Sequence, residues 1–146
     1  MEKLTLNQLQ IFDSFIKFLD SYTLSMFILS GGAGVGKTFL TIKMIQYCFS
    51  RYSSDEIIVL CPTHKALNVI KTKFDDSNLD KDVKFQTIAK FFDKKIKYNS
   101  DGSKYFQNAK LKKIRNSVIF IDESSMIDDK DMDEFVKLSR VDGIKL

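Results

Sequence analysis

Residues 30–40 read Ser-Gly-Gly-Ala-Gly-Val-Gly-Lys-Thr-Phe-Leu, and four of the chain's six glycines fall between Gly31 and Gly36. An apolar run, Met26 to Leu29, precedes the cluster, and apolar residues at helical spacing follow it: Leu40, Ile42, Met44, Ile45 and Cys48. Strand, glycine loop and helix in immediate succession leave few folds open, because the strand must be buried and the helix must pack back onto its sheet. Positions 31–38 match G-x-x-x-x-G-K-[ST], the pattern of a loop that cradles phosphates. Glycine lets backbone N–H groups turn toward phosphate oxygens, and the positive end of the following helix favours the anion. Gly31, Gly32, Ala33, Gly34, Val35, Gly36, Lys37 and Thr38 are therefore predicted to hold a nucleotide. Lys37 would reach its β- and γ-phosphates, and Thr38 would offer a hydroxyl to Mg²⁺.

The rest of the chain alternates in the same way. Leu6, Leu9, Phe12, Phe15, Ile16 and Leu19 recur at intervals that predict an amphipathic helix over 6–19. Ile57–Cys61 and Ser117–Ile121 are apolar and rich in β-branched residues, as strands covered on both faces are. Helices are predicted over 64–74, 86–92 and 130–140, and a turn at Asp142-Gly143 leads into Ile144-Lys145-Leu146. This order predicts an α/β fold with a parallel sheet flanked by helices, whose ligands bind beyond the carboxyl ends of the strands. The segments Gly31–Thr38, Pro62–Lys65 and Asp122–Ser125 should then share one edge. Asp122 is placed to complete a Mg²⁺ shell and Glu123 to take a proton from attacking water.

A chain of 146 residues with 44% apolar content, 29% charged residues and a single proline is one folded domain rather than a disordered segment. It holds no apolar stretch near twenty residues and no secretory pattern, which predicts an intracellular protein without a membrane partner. Cys48 and Cys61 are too few for a zinc site and suit core packing. Between Lys84 and Arg115 ten Lys or Arg face two Asp, a net +8 within a chain of net +4. Such a strip serves either a polyanion or a solvated face. Inside it, Asp101-Gly102 predicts a two-residue hairpin turn that would pair Tyr98 with Tyr105 and put Ile96, Tyr98 and Tyr105 on one face.

The segments "LTLNQLQIF", "GGAGVGKT", "CPTHKALNVI", "FQTIAKFF" and "IFIDESSM" together resemble the early motifs of superfamily-one DNA helicases of the RecD and phage Dda type. The resemblance runs from about Leu4 to Met126 and implies a RecA-like ATP-binding lobe. It implies that Gln8 recognises adenine, which selects ATP over GTP, and that Pro62, Thr63, His64 and Lys65 contact single-stranded DNA. Thr87 matches a further DNA-contacting threonine, although the usual "TIH" is "TIA" here, so Ala89 lacks that histidine. The hairpin insertion, about 94–108, corresponds to the pin that splits duplex junctions, which gives Tyr98 and Tyr105 a DNA-guiding role; a surface hairpin packed on its own domain is the other reading. The family works with a second lobe that supplies arginines to the γ-phosphate. Arg51, Arg115 and Arg140 are the arginines of this chain, so residues 1–146 are expected to be the N-terminal lobe, slow in hydrolysis until its C-terminal partner lobe joins it. Two alternatives stay open: another P-loop ATPase of the helicase-loader or DNA-packaging kind, and a nucleotide- and nucleic-acid-binding module without turnover.

Overall fold

A computed structural model of the chain describes residues 4–32, 34–53, 56–77, 83–107 and 114–146, with the backbone alone for Ile96 and residues 104–107. Its central feature is a parallel sheet. Strand β1 (Ile57–Cys61) lies between β2 (Lys84–Thr87) and β5 (Ser117–Ile121), and β6 (Ile144–Lys145) flanks β5, giving the order β2-β1-β5-β6. The pleat sorts the apolar runs by a period of two. Ile57, Val59, Cys61, Val118 and Phe120 enter one core, which is covered by α1 (Leu6–Asp20), α2 (Lys37–Cys48) and α3 (His64–Asp75). Ile58, Leu60, Ile119 and Ile144 enter the other, beneath α4 (Ile88–Phe91) and α5 (Asp129–Leu138). Continuous burial of β1 is thus the consequence of helices on both faces.

Two expectations about local structure change. Lys84–Thr87 is a strand paired with Ile58–Cys61, and only four residues of the predicted 86–92 helix are helical. Phe85 explains the change, since its ring packs 5.4 Å from Phe74 of α3 and so needs the extended backbone that reaches the sheet. Met26–Leu29 is extended but does not form a full strand. The Phe27 N–H donates to the Leu146 carbonyl (2.8 Å) and the Leu146 N–H to the Ser25 carbonyl (2.9 Å), the bond pattern of a parallel pair.

The inward face of α1 is the one that periodicity indicates over its second half, where Phe12, Phe15 and Leu19 reach the core and Phe18 joins them; in its first turns Gln8 and Ile11 are half-buried, whereas Leu6 and Leu9 are 80% and 44% exposed. Phe15 sits 5.7 Å from Phe27 and 5.9 Å from Phe120, ring to ring. Aromatic pairs of this kind contribute about 0.5–1.5 kcal/mol each beyond their buried area. They fasten α1 to the segment entering the glycine loop and to β5, and so fix where Gln8 stands.

The hairpin forms with a different register. β3 (Lys95–Tyr98) and β4 (Lys104–Gln107) pair Tyr98 with Lys104 and Lys97 with Tyr105, one step from the predicted pairing. The turn is one residue longer than expected: the Gly102 N–H donates to Asn99, the Asn99 N–H to Ser103, and Gly102 takes φ +80. This is the three-residue loop with a left-handed glycine, held by Asp101 accepting from the Ser103 N–H and hydroxyl. Tyr105 therefore stands opposite Lys97, out of phase with Ile96 and Tyr98.

Candidate functional site

The glycine loop closes onto α2 through Gly36, the N-cap residue, which offers no side-chain cap. Among the described residues the N-cap therefore gives the first N–H groups of α2 no side-chain partner, as suits an anion site. Gly34 and Gly36 both adopt the left-handed backbone, with φ +76 and +84. At Gly36 space is limiting as well: a Cβ there would lie 2.9 Å from Gln8 Nε2. Lys37 Nζ donates to the Gly31 and Gly32 carbonyls at 2.8 Å each, which folds the ammonium back across the loop. Ala33 lies outside the described residues.

Gln8 joins the loop to α1. Its Oε1 accepts from the Thr5 N–H (3.0 Å) while Thr5 Oγ1 accepts from the Gln8 N–H (3.3 Å), a reciprocal capping box. Its Nε2 reaches the Val35 carbonyl at 3.5 Å, a long contact that a better acceptor would displace. Thr5, Gln8, Ile11, Leu29, Val35 and Lys37 line a cleft of about 250 Å³ beside the loop. Small-molecule sites begin at roughly this size, about 300 Å³.

Asp122 and Glu123 follow β5. The Asp122 N–H donates to the Leu60 carbonyl (3.0 Å), and its Oδ1 accepts from the Glu123 N–H (3.1 Å), leaving the second carboxylate oxygen for another partner. Glu123 takes φ 55 and ψ 39, a left-handed conformation that costs a residue with a Cβ about 1–2 kcal/mol. Strain of this kind concentrates where a side chain must be aimed. Burial, and then the negative charges of Asp122 and Glu123, push the neighbouring Cys61 thiol up to about 12, so it stays protonated beside them. Thr38 in the first turn of α2 and Asp122 beyond β5 are suitable donors for a hard cation such as Mg²⁺, and the uncapped helix end suits the phosphates that accompany it.

Pro62, Thr63, His64 and Lys65 leave β1 on the same edge. Thr63 caps α3, its Oγ1 accepting from the Ala66 N–H (3.1 Å), and His64 and Lys65 are exposed on the first turn. Thr87 is buried, and its hydroxyl accepts from the Lys90 N–H at 3.2 Å, capping α4. Pro62, Ala89, Met126, Ile127 and Asp131 line a second cleft of about 180 Å³. Tyr98 is 64% exposed on the hairpin, while the side chain of Tyr105 lies outside what the structure describes. Arg51 is engaged elsewhere, paired with Asp20 at 2.6 Å.

Residues 19–145 match the AAA domain family, most of the chain. The chain belongs to this family of P-loop NTPases, which occurs in UvrD/Rep-like helicases. An uncharacterized protein of Acanthamoeba polyphaga mimivirus is 33% identical over 156 residues, covering 99% of this chain and 30% of the viral protein. An uncharacterized protein of Methanocaldococcus jannaschii is 28% identical over 124 residues, covering 81% of this chain and 10% of its own length. This AAA domain thus spans less than a third of each relative.

Among the described residues of the AAA domain, no helix is long and apolar enough to cross a membrane. The sequence reading missed one buried group. Asp131 occupies the inward stripe of α5 with Phe135 and Leu138 and bonds Lys94 at the root of the hairpin. A carboxylate four and seven residues from apolar partners is hidden in a charged stretch, Asp128-Asp129-Lys130-Asp131, and only the i, i+4, i+7 phase with Phe135 and Leu138 sets it apart.

Proposed function

We propose that this AAA domain is the ATP-binding motor lobe of a DNA helicase that moves 5′ to 3′ on single-stranded DNA. The observation that carries the reading is the edge of the sheet. There the Asp122-Glu123 pair and the Pro62–Lys65 turn follow the ends of β5 and β1, and an uncapped helix end with Lys37 follows the extended Met26–Leu29 segment. In this reading Lys37 leaves the Gly31 and Gly32 carbonyls for the β- and γ-phosphates, and the α2 N–H groups bind the remaining oxygens. Gln8 exchanges its long Val35 contact for the adenine edge. Glu123 accepts the proton of the attacking water. Thr38 and Asp122 would hold a Mg²⁺, which would supply positive charge to the phosphates. His64 and Lys65 meet the DNA strand as it passes over the carboxyl ends of β1 and β5, and a second lobe contributes the arginines.

The test is ATP hydrolysis by the full-length protein with and without single-stranded DNA. Stimulation by DNA that vanishes in Lys37→Ala, together with displacement of an oligonucleotide from a substrate with a 5′ but not a 3′ tail, is the expected result. Hydrolysis indifferent to DNA would move the protein to another class of P-loop ATPase.

A further inference from the structure

α5 turns Asp131, Phe135 and Leu138 inward, at 6%, 1% and 6% exposure, so a carboxylate fills a position that apolar residues hold one and two turns later. Its Oδ2 meets Lys94 Nζ at 2.6 Å, and Asp128 Oδ2 stands 3.8 Å from the same ammonium. Asp131 Oδ1 is buried without a hydrogen-bond partner. Removing two charges from water offsets most of their attraction, so such a pair adds little net stability over apolar side chains of the same volume. What it adds is direction. The contact between Phe92 and Phe135, 4.9 Å apart, is apolar and non-directional, whereas Lys94 cannot leave Asp131 without stranding a buried charge.

The position of the pair gives that direction a use. The chain leaves α4 through Asp93, whose φ is +46, the Lys94 N–H donates to the Ala89 carbonyl, and β3 starts at the next residue. β3 and β4 pair with each other in a sheet of their own. On the other side, α5 begins three residues after the Ser124–Met126 turn, which itself follows Glu123. Lys94 therefore fastens the hairpin to the helix that continues the Asp122-Glu123 segment.

We propose that Lys94 and Asp131 form a latch that fixes the bearing of the hairpin relative to the nucleotide site, so that the two move as one body. Both are positioning residues. The inference rests on the helicase reading for its functional consequence, but its structural core does not. The test replaces the pair by apolar side chains, Lys94→Met with Asp131→Leu, in the full-length protein, which avoids an orphaned charge; Lys94→Arg keeps the ion pair. Hydrogen exchange at 95–98 should accelerate in the apolar double variant while β1 and β5 keep their protection, and Lys94→Arg should resemble the parent. DNA-stimulated ATP hydrolysis should persist, while duplex unwinding falls about tenfold, a typical coupling between sites. Unchanged exchange in the hairpin overturns the latch, as does a parallel loss of hydrolysis and unwinding in the double variant. If the parent protein shows no DNA-dependent activity, the helicase reading fails, and the exchange result still decides the latch.

Discussion

Gly34 and Gly36 provide a matched pair of perturbations in the glycine loop. Both have left-handed backbones, φ +76 and +84, so alanine at either position carries the same backbone penalty, about 1–2 kcal/mol. A Cβ at Gly34 meets nothing within 4 Å, whereas one at Gly36 falls 2.9 Å from Gln8 Nε2. Gln8 is the flexible partner, so it moves and surrenders its 3.5 Å contact with Val35, while Oε1 is pulled from the Thr5 N–H. Loss of that half of the capping box adds about 0.5–1 kcal/mol. At roughly 3 °C per kcal/mol for a domain of this size, Gly34→Ala should melt about 3–6 °C below the parent and Gly36→Ala about 5–9 °C below. The more telling comparison is nucleotide choice. Gly34→Ala should weaken ATP and GTP alike, whereas Gly36→Ala, by displacing Gln8, should also erase the preference for ATP. Titration of each variant with fluorescent ATP and GTP analogues, beside thermal melts, reads both effects. Equal losses of stability and of ATP preference in the two variants would falsify the contact between Gln8 and the loop.

Two further outcomes follow from charge and burial. Lys95 and Lys97 are exposed on the hairpin, so replacing both by alanine should make the slope of log affinity for single-stranded DNA against log salt shallower by about 1.4; an unchanged slope in fluorescence anisotropy removes the hairpin from the interface. Burial pushes the Cys48 and Cys61 thiols from 9.0 up to about 12. The unfolded chain releases these protons above pH 9 while the folded one keeps them. Stability is therefore unaffected below pH 9 and falls between pH 9 and 12, by about 1.4 kcal/mol per pH unit for each thiol. Cys48→Ala with Cys61→Ala should flatten that alkaline decline in denaturant titrations, and an unchanged decline refutes the assignment.

The phosphate loop, β1, β5 and most of the helices were legible because their patterns are local. Gly36 needs its left-handed backbone whatever the tertiary context, and Ile57–Cys61 announces burial on both faces by composition alone. What escaped depended on partners distant in the chain. Lys84–Thr87 became a strand because Phe85 found Phe74, and Phe18, outside the predicted stripe of α1, found Phe27, while Leu6 and Leu9 at its start stayed exposed. The hairpin register differed because Asp101 took Ser103 as its partner, which lengthens the turn by one residue and puts every later residue of the strand on the other face. Thr87 shows what a motif leaves out: its burial and its cap to the Lys90 N–H come from the chain's course from β2 into α4.

The strand order carries a consequence for the site that no motif contains. β6 stands between the segment that enters the glycine loop and β5, so Lys37 and Asp122 hang from backbones two places apart in the sheet. Their separation is set by β6. On one side Ser117 and Val118 register with Ile144 and Lys145; on the other, Leu146 exchanges two backbone bonds with Ser25 and Phe27. Lys145 reinforces the second side, its ammonium donating to the Ser21 and Leu24 carbonyls and lying 4.9 Å above the Phe18 ring. Gly143 feeds β6 from a left-handed turn packed so tightly on Asn116 that a Cβ would fall 2.5 Å from its Oδ1. These residues sit at the amino ends of the strands, opposite both clefts. They lie away from the proposed nucleotide site, yet they set the spacing between the glycine loop and the Asp122-Glu123 segment.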